Sequence, residues 1–121
     1  MIKHMIKHID SGDLLSQVTV SNGTAYLSGQ VAFDSRGADF PTQAAEVFGR
    51  IDALLEKAGT DRSRLLTATV WLADLGHFAG FNELWRHWLG VHGRPARATV
   101  KADLVLPGLL IEVQVTAAVG D

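Results

Sequence analysis

Residues 96–119, ARATVKADLVLPGLLIEVQVTAAV, read as two strands separated by Pro107-Gly108. A strand sends successive side chains to opposite faces. In the first stretch, 96–106, Ala96, Ala98, Val100, Ala102 and Leu104 share one face, and Arg97, Thr99, Lys101 and Asp103 share the other. The small apolar set is what a covering helix layer asks for, so Arg97 is expected on the face away from the helices. In the second stretch, 108–119, Leu109, Ile111, Val113, Val115 and Ala117 oppose Leu110, Glu112, Gln114 and Thr116. Two strands close in sequence, and expected to pair, thus place Arg97 and Glu112, charges of opposite sign, on the uncovered face. Across Pro107-Gly108 the two would not stand directly opposite, but they could border one hollow, in particular one shared between subunits. Two readings stay open on alternation alone. A one-sided sheet exposes its polar face to water, which makes Arg97 and Glu112 a surface pair worth about 0–1 kcal/mol. Alternatively the face is an anion site, because a guanidinium binds a carboxylate in a planar fork and a nearby glutamate can move protons or orient water.

Outward from these strands, SQVTVSNGTAYLSGQVAFD (16–34) reads as a hairpin. Asn22-Gly23 tolerates the positive φ angles of a type I′ turn, and the second strand ends at Ser28-Gly29. FPTQAAEVFGRIDALLEKAG (40–59) spaces Ala44, Phe48, Ile51, Leu55 and Ala58 three or four apart, the period of a helix with one apolar face. Pro41 suits its first turn and Gly59 its left-handed end. A strand is expected through Thr67–Leu72. Asp74 then reads as the cap of a second helix over 77–90, with Phe78, Phe81, Trp85 and Trp88 as its core stripe and Gly90 as its stop. The order is β-β-α-β-α-β-β, with a further short strand at 4–9. That pattern predicts one domain over residues 1–121, α+β, with a mixed sheet and two helices on one face.

The 121 residues are 47% hydrophobic and 20% charged, with a net charge of −2, as in an ordinary globular protein. There is no basic stripe for a nucleic acid to grip. The chain lacks cysteine, which excludes disulfides, a thiol nucleophile and thiolate metal sites. His77, His87 and His92 do not have helical i,i+4 ligand spacing, so no metal site is expected. No apolar run is long enough to span a membrane. The start, MIKHMIKHID, is too short and polar for a signal peptide, so a cytoplasmic location is expected. Its MIKH duplication reads as two candidate starts, or a strand with an extra lead, rather than as a histidine metal clip.

The segment GRPARATVKADLVLPGLLIEVQVTA resembles the C-terminal signature of the RidA/YjgF family, also labelled endoribonuclease L-PSP. The matching elements are Pro95-Ala96-Arg97, Leu106-Pro107 and Ile111-Glu112-Val113. AYLSGQVAFD (25–34) is similar to the family's Ser-Gly-Gln strand end, and LLEKAGTDRSRLLTATVWLADLGHFAGFNELW to its helix, strand and Asp-x-x-x-Phe-x-x-x-Asn-Glu block. The resemblance implies a fold like the bacillus type of chorismate mutase. It also implies a homotrimer with a central β-barrel and clefts between subunits, and hydrolytic deamination of enamine and imine intermediates such as 2-aminoacrylate. Matched residue by residue, Arg97 would hold the substrate carboxylate and Glu112 the hydrolytic water. Thr99, Ser28 and Gly29 would line the cleft. Leu15, within GDLLSQ (12–17), stands where many members carry a tyrosine, which implies an altered pocket wall and either weaker turnover or a larger, more apolar substrate. Gln114 replaces a frequent second acid and by itself would ease ionisation of Glu112. A non-catalytic keto-acid binding protein and, with less support, a ribonuclease are the alternatives.

Overall fold

The computed structural model describes residues 5–120. The first MIKH copy lies outside them. The short N-terminal strand is β1, Lys7–Ser11. The hairpin follows as β2, Ser16–Ser21, and β3, Thr24–Leu27, with Asn22 at φ 50° and Gly23 at φ 75°, the doubly positive turn that Asn-Gly permits. A two-residue strand, β4 (Gln30–Val31), comes next.

Helix α1, Phe40–Lys57, begins where Asp39 accepts a hydrogen bond from Thr42 N at 3.0 Å, and Pro41 occupies its first turn. It ends at Ala58, followed by Gly59 at φ 81°. Its buried face, with Ala44, Val47, Phe48, Ile51 and Leu55, lies on the sheet. Truncating the fully buried Ile51 to alanine is expected to cost about 2–5 kcal/mol.

Strand β5, Leu65–Leu72, leads to α2, Phe78–Leu89. The sequence reading starts that helix at His77 under an Asp74 cap, but the structure inserts a 3-10 turn at Leu75–His77. Asp74 spends its carboxylate on Gly76 N at 2.8 Å, which tightens the chain into that turn. His77 then precedes α2 without a side-chain cap and stacks on Phe40 at 4.4 Å. Phe81, Trp85 and Trp88 are buried, and Phe48 stacks on Trp88 at 4.6 Å to join the two helices. Phe78 is partly exposed instead of core.

The last strands are β6, Ala96–Lys101, and β7, Ile111–Ala118, both shorter than their alternating sequences. They do not pair. The sheet order is β1-β2-β3-β7-β5-β6, with β4 also on β7. β5 stands between β7, which it meets antiparallel, and β6, which it meets parallel. A parallel neighbour needs a crossover, and α2 supplies it. Residues 102–110 therefore pass around the end of β5, where Ala102 N donates to Leu72 O and Ala73 N to Leu110 O. Fully buried Gln43 holds this passage. Its amide donates to Gly108 O at 2.8 Å and Ala38 O at 3.0 Å, and its oxygen accepts from Leu110 N at 2.8 Å.

The register reverses one expectation about faces. Arg97 pairs with Ala68 and Thr99 with Val70. Ala68 and Val70 are buried under the helices, so Arg97 and Thr99 point to the helix side. Ala96, Ala98 and Val100 point to the open side and are exposed. Alternation says which residues share a face, but not which face it is. Here both faces of β6 are tolerable to their surroundings, the open one because it is small and apolar. Glu112 pairs with Trp71, three residues from Ala68 on β5, and keeps its expected place on the open face. The α+β architecture, a mixed sheet with both helices on one face, agrees with the sequence reading. No helix among the described residues is long and apolar enough to cross a membrane.

Candidate active site

β6 carries Arg97 at the edge of the sheet, beneath α2. Its Nη2 donates to Asn82 Oδ1 at 2.8 Å. The guanidinium carbon lies 5.3 Å from the ring centres of Phe81 and Trp85 and 6.0 Å from that of Phe78. These rings offer cation–π contact, but no described carboxylate forms an ion pair with Arg97. Burial lowers its pKa from the usual arginine value; the group stays cationic. Thr99, two residues on and on the same face, has a buried hydroxyl with no hydrogen-bond partner.

Glu112 lies on the other sheet face. It packs against Gly29 so closely that a Cβ there would stand 2.0 Å from Glu112 Oε2. A side chain at position 29 would displace the carboxylate, which accounts for glycine at this turn between β3 and β4. Burial raises the Glu112 carboxyl above the ordinary glutamate range. The eased ionisation expected from the neutral Gln114 is therefore not found, and Gln114 donates to Leu27 O at 3.2 Å.

Ser28 fastens the end of β3 to β2. Its N–H donates to Gln17 O, and its hydroxyl to Ser16 O at 2.7 Å. Leu15, Ser28 and Gly29 line one cleft of about 420 Å3, together with Gln17, Gln30, Phe33 and residues of α1. Leu15 is 52% exposed at its rim.

One chain thus gathers Leu15, Ser28 and Gly29, with Glu112 touching the last, and separately gathers Arg97 and Thr99. It does not bring Arg97 and Glu112 together. Their β5 neighbours, Ala68 and Trp71, are an odd number of residues apart, which puts the two charges on opposite faces. Asn82 has no role in the sequence reading. Its signal was a polar residue set among Phe78, Phe81 and Trp85 on the inner stripe of α2.

A sheet of this order with two helices over one face and polar groups at its free edges defines a class of α+β domains, and comparisons place the chain within it. The model of the family described as endoribonuclease L-PSP matches residues 5–119. A RutC family protein from Haemophilus ducreyi is 38% identical over 95% of this chain and 97% of its own length. The RutC family protein YoaB of Escherichia coli is 38% identical, covering 94% and 98%. Among solved structures, a YjgF family member from Neisseria meningitidis superposes with a TM-score of 0.88 at 32% identity, covering 97% of both chains. A Rid family protein from Yersinia pestis gives 0.81 at 27% identity, covering 90% of both. The chain belongs to the RidA/YjgF (endoribonuclease L-PSP) family.

Proposed function

We propose that the protein hydrolyses reactive 2-imino acids and their enamine tautomers, of the 2-aminoacrylate type, to 2-keto acids and ammonia. The observation that carries this reading is Arg97. A partly desolvated cation, steered by Asn82 and three aromatic rings and facing no described carboxylate, is a receptor for a carboxylate brought by a ligand. Glu112 supplies the proton handling. Its carboxylate accepts a proton from water as the oxygen adds to the imine carbon. That proton is returned to nitrogen to give a carbinolamine; the Glu112 carboxylate then takes the hydroxyl proton and passes it to nitrogen as the carbon–nitrogen bond breaks, so that ammonia leaves and the carbonyl of the keto acid forms. Thr99, Ser28, Gly29 and Leu15 line the two halves of the pocket. No step requires a cofactor.

Because Arg97 and Glu112 occupy opposite faces of one sheet, the complete site joins Arg97 of one copy to Glu112 of another. The homotrimer implied by the family resemblance provides such contacts. The open face suits a neighbour, since Tyr26 and Val100 are about half exposed there and Ala96 and Ala98 add little bulk. Two experiments test these statements. Imines are generated in situ by an amino-acid oxidase, and keto-acid release is followed against semicarbazide trapping. The protein is expected to speed release, and no acceleration with any precursor sinks the deaminase reading. Arg97→Ala and Glu112→Gln proteins, each inactive alone, are then unfolded, mixed equally and reassembled. A composite trimeric site predicts recovery to about a quarter of wild-type activity, because each mixed trimer contains one intact pair. No recovery from a mixture that has reassembled would overturn the shared site.

A second reading, a keto-acid binding protein without turnover, is favoured by one residue. Leu15 can neither donate a hydrogen bond nor move a proton. Leu15→Tyr restores both abilities, and a rise in turnover on that change separates an impaired enzyme from a binding protein. The ribonuclease in the family's older name finds little support in a chain of net charge −2.

A further inference from the structure

The cleft beside Gly29 extends well beyond the residues that the chemistry uses. At about 420 Å3 it falls within the range of small-molecule clefts, about 300–1,000 Å3, whereas 2-aminoacrylate has a single side-chain carbon. Its apolar lining comes from Leu15 and Phe33, 52% and 53% exposed, and from Leu54 and the small Ala53 of α1. Its neutral polar lining is Ser28 and the Gln17–Gln30 amide pair, joined at 2.8 Å. Gly29, which Glu112 abuts, also lines it.

Charge sharpens the choice of ligand. Asp10, Arg50 and Lys57 are the charged residues of the lining, and each already has a partner. Lys57 meets Asp10 at 2.6 Å, and Arg50 meets Glu46 at 2.6 Å and Asp34 at 3.3 Å. A second carboxylate on the ligand would have to break one of these pairs, and a basic side chain would find no free carboxylate. A neutral, apolar side chain displaces only water.

We infer that this cleft is the side-chain pocket of the site, and that the substrates are 2-imino acids with branched or aromatic apolar side chains rather than the alanine-derived imine. The inference rests on the deaminase reading for the chemistry, but the pocket assignment is tested apart from it. Imines derived from leucine, phenylalanine, alanine and glutamate are compared by kcat/KM. Those from leucine or phenylalanine are expected to exceed the alanine-derived one by at least about tenfold, since each methylene in an apolar pocket discriminates by that order. The glutamate-derived imine should fall below both. Ala53 is exposed on α1, so Ala53→Trp fills the cleft without touching the core. It is expected to bring the leucine-to-alanine ratio close to one by lowering the leucine rate alone. A wild-type preference for the alanine-derived imine, or a ratio unmoved by Ala53→Trp, overturns the assignment. Calorimetry with the products 4-methyl-2-oxopentanoate and pyruvate repeats the comparison without turnover. If no imine is hydrolysed, but the branched keto acid binds more tightly and loses that advantage in Ala53→Trp, the deaminase reading falls and the pocket stands. Equal binding of both keto acids to the wild-type protein overturns the pocket.

Discussion

Glu46 and Glu112 are two partly sheltered carboxylates with opposite fates. Burial pushes the Glu46 carboxyl up, but the Ser35 hydroxyl, Arg50 and the backbone N–H groups of Asp34 and Ser35 outweigh it and hold its pKa at about 2. At Glu112 burial acts alone, and the carboxyl is raised. The first is ringed by donors and fastens the loop after β4 to α1. The second is partly withdrawn from water, with no hydrogen-bond donor to it among the described residues. A fold gains from the first arrangement and loses from the second, so the second needs another reason to exist. The two arginines near the end of the chain repeat the contrast. Arg94 closes a turn by donating to Gly90 O and His92 O, while Arg97 lies among aromatic rings with no described carboxylate paired to it.

The largest test of this contrast is Glu112→Gln, which is expected to lower kcat by at least about a hundredfold, the usual scale of proton handling. Glu46→Gln should leave turnover unchanged at temperatures where it remains folded. If the two variants lose activity alike, the division between them is broken. Gly29→Ala comes next. Its new Cβ must push the Glu112 carboxylate aside, and a loss of about tenfold in kcat is expected with an unchanged circular dichroism spectrum. Asn82→Ala should raise KM several-fold more than it lowers kcat, because it loosens the binding of Arg97 to substrate, and Asn82→Asp is not expected to rescue it.

The pH dependences have opposite signs and smaller sizes. Glu112 accepts a proton only when ionised, so the rate should climb with pH through its raised pKa, and Glu46→Gln should not shift that climb. For stability, the lowered pKa of Glu46 contributes fully above its ordinary value of 4.5 and is lost as pH falls toward about 2. Glu46→Gln is therefore expected to cost about 1–3 kcal/mol at pH 7 and almost nothing near pH 2. The raised Glu112 pKa stabilises the fold only while the carboxyl is protonated, and that contribution is lost as pH rises through the raised value. Glu112→Gln should then match the wild type in acid and exceed it slightly at pH 7. Urea melts at both pH values decide both points.

Local chemistry was legible in the sequence wherever one residue dictates it. Asn22-Gly23 named its turn, the apolar spacing from Ala44 to Leu55 named α1, and Pro41 and Gly59 marked its ends. Sheet order was less legible, because pairing depends on what lies between two strands in space. Residues 96–119 look like a hairpin until β5 is found between them. Arg97 was turned to the wrong face for another reason: the small apolar set Ala96, Ala98 and Val100 was given to the helix layer, and alternation does not say which face the helices cover. Gln43, which fixes the path from β6 to β7, looks like any polar residue on a helix until its partners Gly108 and Leu110, more than sixty residues away, are seen. Ser28, Gly29 and Leu15 were placed by resemblance, and the fold gathers them in one cleft. Asn82 stands in the Asp-x-x-x-Phe-x-x-x-Asn-Glu block but was given no role, because that role depends on which side chain it meets across the helix–strand interface.

The placement of Arg97 and Glu112 on opposite faces of a single sheet has a consequence for how the protein behaves on dilution. If each site needs two copies, a solitary chain holds two inert halves. Specific activity then becomes a reporter of assembly, falling as protein concentration drops below the dissociation constant of the oligomer. A saturating keto acid bridging the halves would hold the copies together, so product would slow the decay of activity in dilute solution.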